Sequence, residues 1–146
     1  MADYYLLAFW LFVLAALAIG WRAGDRADRR MILAIIGATA ASAVVYTVTD
    51  IGTALYCVIA IDLALLAIVG NYALKGGKYW PVWFTGLHGT SVLFEALALT
   101  LPADAGIAFW RVAGFWSLPA LLAMSAGLML DQSRQPQGSP DQASTP

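Results

Sequence analysis

Five apolar runs constrain this chain more than anything else in it. They cover residues 4–21, 31–49, 54–74, 80–101 and 107–130, and each holds 18 to 24 residues. About 20 apolar residues in a helix cross a hydrocarbon core of ~30 Å. A single helix through 31–74 would be about 66 Å long, twice the bilayer, so the chain must turn inside that stretch. Asp50 and Gly52 mark the place. Hydrophobic residues make up 61% of the 146 residues and charged residues only 12%. Soluble domains run near 45–50% apolar and about 25% charged. A chain this short cannot hide such a surplus inside itself, because small domains bury the smallest share of their surface. The expected fold is an all-α integral membrane bundle of five transmembrane helices. The single transmembrane domain covers 1–130, and a polar tail rich in Pro, Ser and Gln, expected to be disordered and cytoplasmic, covers 131–146.

The basic residues predict the orientation. The 22–30 connector holds four Arg, the 75–78 connector two Lys, and the tail Arg134. Five crossings put these segments on one side. The other side carries Asp3, Asp50 and Asp104 and no base outside the runs. The positive-inside rule then places the N-terminus out and the C-terminus in. Aromatic residues support the same frame. Tyr4, Tyr5, Tyr46, Tyr56 and Trp110 fall near outer ends, and Trp21, Tyr72, Tyr79, Trp80 and Trp83 near inner ends. Residues 79–83, "YWPVW", read as an inner interfacial anchor, with Pro81 in the first helical turn where its missing N–H costs nothing. The first run has no basic residues before it, which favours an uncleaved anchor over a secretory signal.

Asp62, His88, Glu95 and Arg111 are ionisable residues inside the runs. An Asp, Lys or Arg at mid-span costs roughly 2.5–3.5 kcal/mol on insertion scales, so such groups face protein or water and find partners. From the 1.5 Å rise, His88 lies about 12 Å above the inner interface, Asp62 about 18 Å, Glu95 about 22 Å and Arg111 about 24 Å. Glu95 and Arg111 are nearly level on consecutive helices and are expected to pair. His88, Ser91 and Glu95 at i, i+3 and i+7 share one face, expected to point into the bundle. Gly86, Gly89 and Thr90 nearby, and the small residues of 38–43, suit close helix contact. Asp62, His88, Ser91, Glu95 and Arg111 form the expected intramembrane polar network. It is either a structural lock or a proton or solute path.

Stricter chemistry fails. His88 and Glu95 are about 10 Å apart along one helix, too far for one metal or for a triad through Ser91. Cys57 is the only cysteine and His88 the only histidine. Neither a cysteine metal site nor a bis-histidine haem can form within one chain. No metal or other cofactor is expected, and Gly76-Gly77 reads as a turn rather than a phosphate loop. A net charge of −1 offers nothing to nucleic acid. Pro119 should release the Phe115 carbonyl within the last run.

Residues 59–131 resemble a set of short, multi-span, uncharacterised bacterial inner-membrane proteins. The likeness rests on "IDLALLAIVGNYALKGGKYWPVWFTGLH" and "FWSLPALLAMSAGLMLD", with a Tyr-Trp-Pro-x-Trp anchor, a Gly-x-His step and a Phe-Trp-x-x-Pro span. It implies a bacterial inner-membrane location and draws attention to Asp62, His88 and Trp116, but carries no activity. The leading expectation is a non-enzymatic accessory or assembly subunit, or a homo-oligomer, that packs on other membrane helices within the lipid bilayer. The alternative is a proton or small-solute transporter or channel using Asp62, His88 and Glu95. A membrane-embedded enzyme ranks third, for want of convergent catalytic groups.

Overall fold

The computed structural model describes residues 2–134, with side-chain surroundings for 10–133 except Ala103. Five helices run in chain order: α1 Ala2–Ala23, α2 Arg26–Val48, α3 Ile51–Gly76, α4 Tyr79–Ala98 and α5 Ala103–Arg134. No strand occurs among the described residues. Three of the helices, α2, α3 and α5, are long and apolar enough to cross a membrane. α4 has 20 residues, a rise of about 30 Å. The last helix continues through Arg134, so 131–134 belong to it. The rest of the expected tail, 135–146, lies outside the described residues.

The breaks follow from local chemistry. Asp25 caps α2 by accepting from the backbone N–H of Ala27 and Asp28, at 2.8 and 2.9 Å, and Asp28 accepts from Asp25 N–H at 3.0 Å. This reciprocal capping box satisfies donors that the first turn leaves open. Asp50 caps α3 through Thr53, whose N–H and hydroxyl reach its carboxylate at 3.1 and 2.7 Å. The turn expected over 50–53 is therefore tighter, and Ile51 and Gly52 are already helical. Gly77 ends α3 in the left-handed region at φ 61°, where a residue without Cβ carries no steric cost. Pro119 lies within α5 without ending it.

Each helix packs on its neighbour in the chain, and α5 returns to pack on α1, so the five close into a ring. The α1–α2 and α3–α4 connectors share one end, here the basic end. The α2–α3 and α4–α5 turns share the other. Towards the basic end Ile32, Val69, Trp80, Met124 and Leu128 have essentially no exposure. Gly127 of α5 lies so close to α4 that a Cβ there would fall 2.4 Å from Trp80 Cβ and 3.1 Å from Trp80 Cα.

Polarity is inverted relative to a soluble protein. Asp28, His88, Ser91, Glu95 and Ser125 are buried, while Leu74, Val48, Ile51 and Phe115 stand well exposed. That distribution is compatible with a membrane protein, since lipid solvates apolar side chains and rejects buried-type polar ones.

The aromatic anchor divides. Tyr79 and Trp83 are about two-thirds exposed, but Trp80 is fully buried. The helical period causes this. Trp80, Phe84 and His88 repeat at i, i+4 and i+8 on the inward stripe, with ring centroids 6.4 and 5.6 Å apart. Tyr79 and Trp83 point away from that stripe.

Candidate functional site

A cavity of about 200 Å³ lies inside the ring and is lined by residues of all five helices. α4 supplies its polar wall. The inward stripe that begins at Trp80 and Phe84 continues through His88, Ser91 and Glu95, all buried. Phe84 lines the cavity and stacks on the His88 ring on the side nearer the basic end. α3 adds Asp62, half-buried and facing α4.

The structure brings Asp62, His88 and Glu95 together. His88 Nε2 lies 3.2 Å from the Asp62 backbone oxygen and 3.8 Å from its carboxylate. A carbonyl only accepts, so Nε2 carries the proton and donates to it. The Asp62 and Glu95 carboxyl groups sit within hydrogen-bonding reach of one another. Ser91 donates across the helix pair to the Ala113 carbonyl at 2.8 Å. Its hydrogen is therefore spent on holding α4 to α5. Glu95 Oε2 is buried with no donor among the described residues.

Arg111 is not part of this group. No ion pair joins it to Glu95 among the described residues; it is exposed and borders a separate apolar groove with Ile51, Leu55 and Ile107. Equal height did not fix the angle around the helix. Arg111 precedes Ala113 by two residues, about 200° of rotation, and Ala113 is the fully buried residue that meets Ser91. The expected Glu95–Arg111 pair is thereby corrected, and Glu95 faces Asp62 instead. Gly86 likewise meets nothing within 4 Å of an added Cβ, so it is no helix-contact residue; Gly89 touches only Leu66.

A second polar group at the basic end is invisible to helical periodicity. Asp28, 2% exposed, accepts from Lys78 Nζ at 2.6 Å, Tyr72 hydroxyl at 2.9 Å and Trp80 Nε1 at 3.0 Å. Lys78 also bonds Asp25 at 2.7 Å. The interleaved acids of the 22–30 connector were the available signal. Charge counting sums them with the Arg residues and hides their partners. The group is a clamp, since every member is engaged.

This clamp has a pH signature. The Lys78 hydrogen bond, with help from backbone N–H groups, lowers Asp25 from 3.8 to about 2. Burial opposes the Lys78 charge, but its bonds to Asp25 and Asp28 outweigh that and hold it above its ordinary 10.5. A lowered acid stabilises the fold above its unfolded value and loses that contribution as pH falls through the folded one. A raised base contributes below its unfolded value and loses it as pH rises through the folded one. Thermal stability in detergent is therefore expected to fall as pH drops from 3.8 towards 2. Asp25→Asn should lower stability at neutral pH and flatten that acid limb; an unchanged limb would contradict the assignment.

Among the described residues no group of three or more His, Cys, Asp or Glu is placed to hold a metal ion. No model of a known protein family matches the chain, and no curated protein or solved structure does either.

Proposed function

We propose that the chain crosses a bacterial inner membrane five times, basic end in the cytoplasm, and passes protons or a small solute through its central cavity. The observation that carries this reading is the buried, donorless Glu95 oxygen beside Asp62 and His88 in a cavity bounded by all five helices. Buried polar groups are normally satisfied, and exceptions call for a functional explanation. Intramembrane carboxylates and histidines in reach of one another are the usual parts of a proton relay. His88, Asp62 and Glu95 form such a series, with Phe84 and Trp80 as a packed plug on the cytoplasmic side. Passage requires that plug to move.

The test is flux in liposomes carrying the purified protein and an internal pH dye, with a potassium ionophore to clamp the voltage. An external acid step should acidify the lumen faster than in empty liposomes. Glu95→Gln and Asp62→Asn should each return the rate to the empty-liposome value, while Arg111→Gln leaves it unchanged. Wild-type flux equal to that of empty liposomes, or flux untouched by both carboxyl substitutions, contradicts the reading.

A second reading, an accessory subunit or homo-oligomer without enzymatic activity, is favoured by α2. Its half nearer the α2–α3 turn is poorly covered: Gly37 has open space around it, and Ala40, Ala41 and Val44 are exposed. Small residues allow close approach of another helix. Size and mass analysis in detergent tests this, and a lone monomer without companions counts against it.

A further inference from the structure

We propose that the central cavity is a binding site for a small monovalent cation bearing N–H donors, an ammonium or short alkylammonium ion, held by Glu95 and Asp62. The inference rests on the reading of the cavity as a solute path and names the solute's chemistry.

The argument is a count of donors and acceptors. Thr39, Ser91 and Ser117 line the cavity, and each hydroxyl donates to a backbone carbonyl, of Ile35, Ala113 and Gly114 respectively. The His88 N–H is spent on the Asp62 carbonyl. Ser42 alone among the lining hydroxyls has its hydrogen uncommitted. Against this stand two carboxyl groups, one of them with a buried oxygen that no donor reaches. A proton shared between Asp62 and Glu95 would engage one oxygen of each carboxyl and leave the other oxygen of each open. The cavity is thus rich in acceptors and poor in donors, and a guest must bring the donors. Lys78 is tied down at the basic end by Asp25 and Asp28, and Arg111 faces away, so no cation among the described residues fills the role.

The guest's class follows from charge and size. Two carboxyl groups select a cation over an anion or a neutral amide. Among the described residues no three His, Cys, Asp or Glu side chains are placed to share a metal ion. About 200 Å³ is below the ~300–1,000 Å³ of drug-sized sites. Val13, Leu65 and Leu121 give the remaining wall an apolar face, suited to a short alkyl chain behind the charged head.

The experiment uses the full chain in detergent, with Tm followed as a function of added ammonium, n-propylammonium or tetramethylammonium chloride at constant ionic strength. The two N–H cations should raise Tm saturably, and tetramethylammonium, which has no N–H, should not. If propylammonium binds more tightly, the alkyl wall contributes and the natural guest is an amine; if ammonium is equal or tighter, it is the inorganic ion. Glu95→Gln should weaken the apparent affinity by about tenfold or more, as expected for loss of a charge-assisted bond. Gly114→Val supplies a check independent of the carboxyls. Gly114 lines the cavity and an added Cβ there meets nothing within 4 Å. The variant should fold and lose propylammonium more than ammonium. No shift with either N–H cation, or the same shift with tetramethylammonium, overturns the site. Amine binding without liposome flux of either protons or the bound amine overturns the transport reading and leaves the site standing. Flux without amine binding overturns the site alone.

Discussion

Replacing Asp28 with alanine is expected to lower stability by about 3–5 kcal/mol, the usual result of removing one partner from a buried ion pair. The group earns that estimate by its surroundings. Its side chain is 3% exposed and receives Lys78 at 2.6 Å, with Tyr72 and Trp80 as further donors. Alanine leaves a hydroxyl and an indole N–H without their acceptor, leaves the partly buried Lys78 ammonium with Asp25 alone, and opens the capping box of α2. Lys78→Met should cost less, because Asp28 keeps Tyr72, Trp80 and the Asp25 N–H. Unfolding in a denaturing detergent series measures both. Against a total of roughly 5–15 kcal/mol for an ordinary domain, the Asp28 loss leaves little margin. Equal, small effects from the two substitutions would show that the clamp is a surface ion pair of the kind worth about 0–1 kcal/mol.

Gly127→Val is expected to be nearly as damaging for a different reason. The new Cβ would lie within 2.4 Å of Trp80 Cβ and 3.1 Å of its Cα. The second contact is backbone, so no rotamer change relieves it. α4 and α5 must separate, and Trp80, fully buried, loses both its fit and its bond to Asp28. Overpacking costs typically about 1–3 kcal/mol and occasionally more. Tryptophan emission should shift to the red together with the fall in Tm. Gly86→Ala is the control. It meets nothing and lowers the entropy of the unfolded chain, so it should be neutral or stabilising by about 0.4–1 kcal/mol. If Gly127→Val matched Gly86→Ala, the close crossing of α4 and α5 would be wrong.

The Asp28 clamp, the close crossing of α4 and α5, and the cavity differ in how far they could be read from the sequence. Helix number follows from run length, which is local. The limits differ from the runs by up to five residues, as at Arg26, because Asp25 starts α2 among charged residues that an apolar run leaves out. Helical spacing puts His88, Ser91 and Glu95 on one face, again a local fact. Which face of α5 meets them is not local. The 1.5 Å rise gives height but no angle, so height alone pairs Arg111 with Glu95 although Arg111 points elsewhere. Composition alone makes Trp80 part of the anchor with its aromatic neighbours, although its phase matches Phe84 and His88. The Asp28 group joins residues about fifty positions apart, and only the closing of the ring brings them together. Glu95 meets Asp62 across α3 and α4 for the same reason.

The account depends on a ring of five membrane-crossing helices whose connectors alternate in side. Single cysteines placed in a Cys57→Ser background at Ala27, Ile51, Gly76, Thr100 and Ser133 sample each helix boundary in turn. Intact cells are treated with a membrane-impermeant maleimide before and after permeabilisation. The expected result is labelling of Ile51→Cys and Thr100→Cys from outside, with Ala27→Cys, Gly76→Cys and Ser133→Cys reached only once the membrane is opened. Labelling of Ile51→Cys and Gly76→Cys from the same side would mean that α3 does not cross, and would contradict the ring in the membrane and the cavity's role within it.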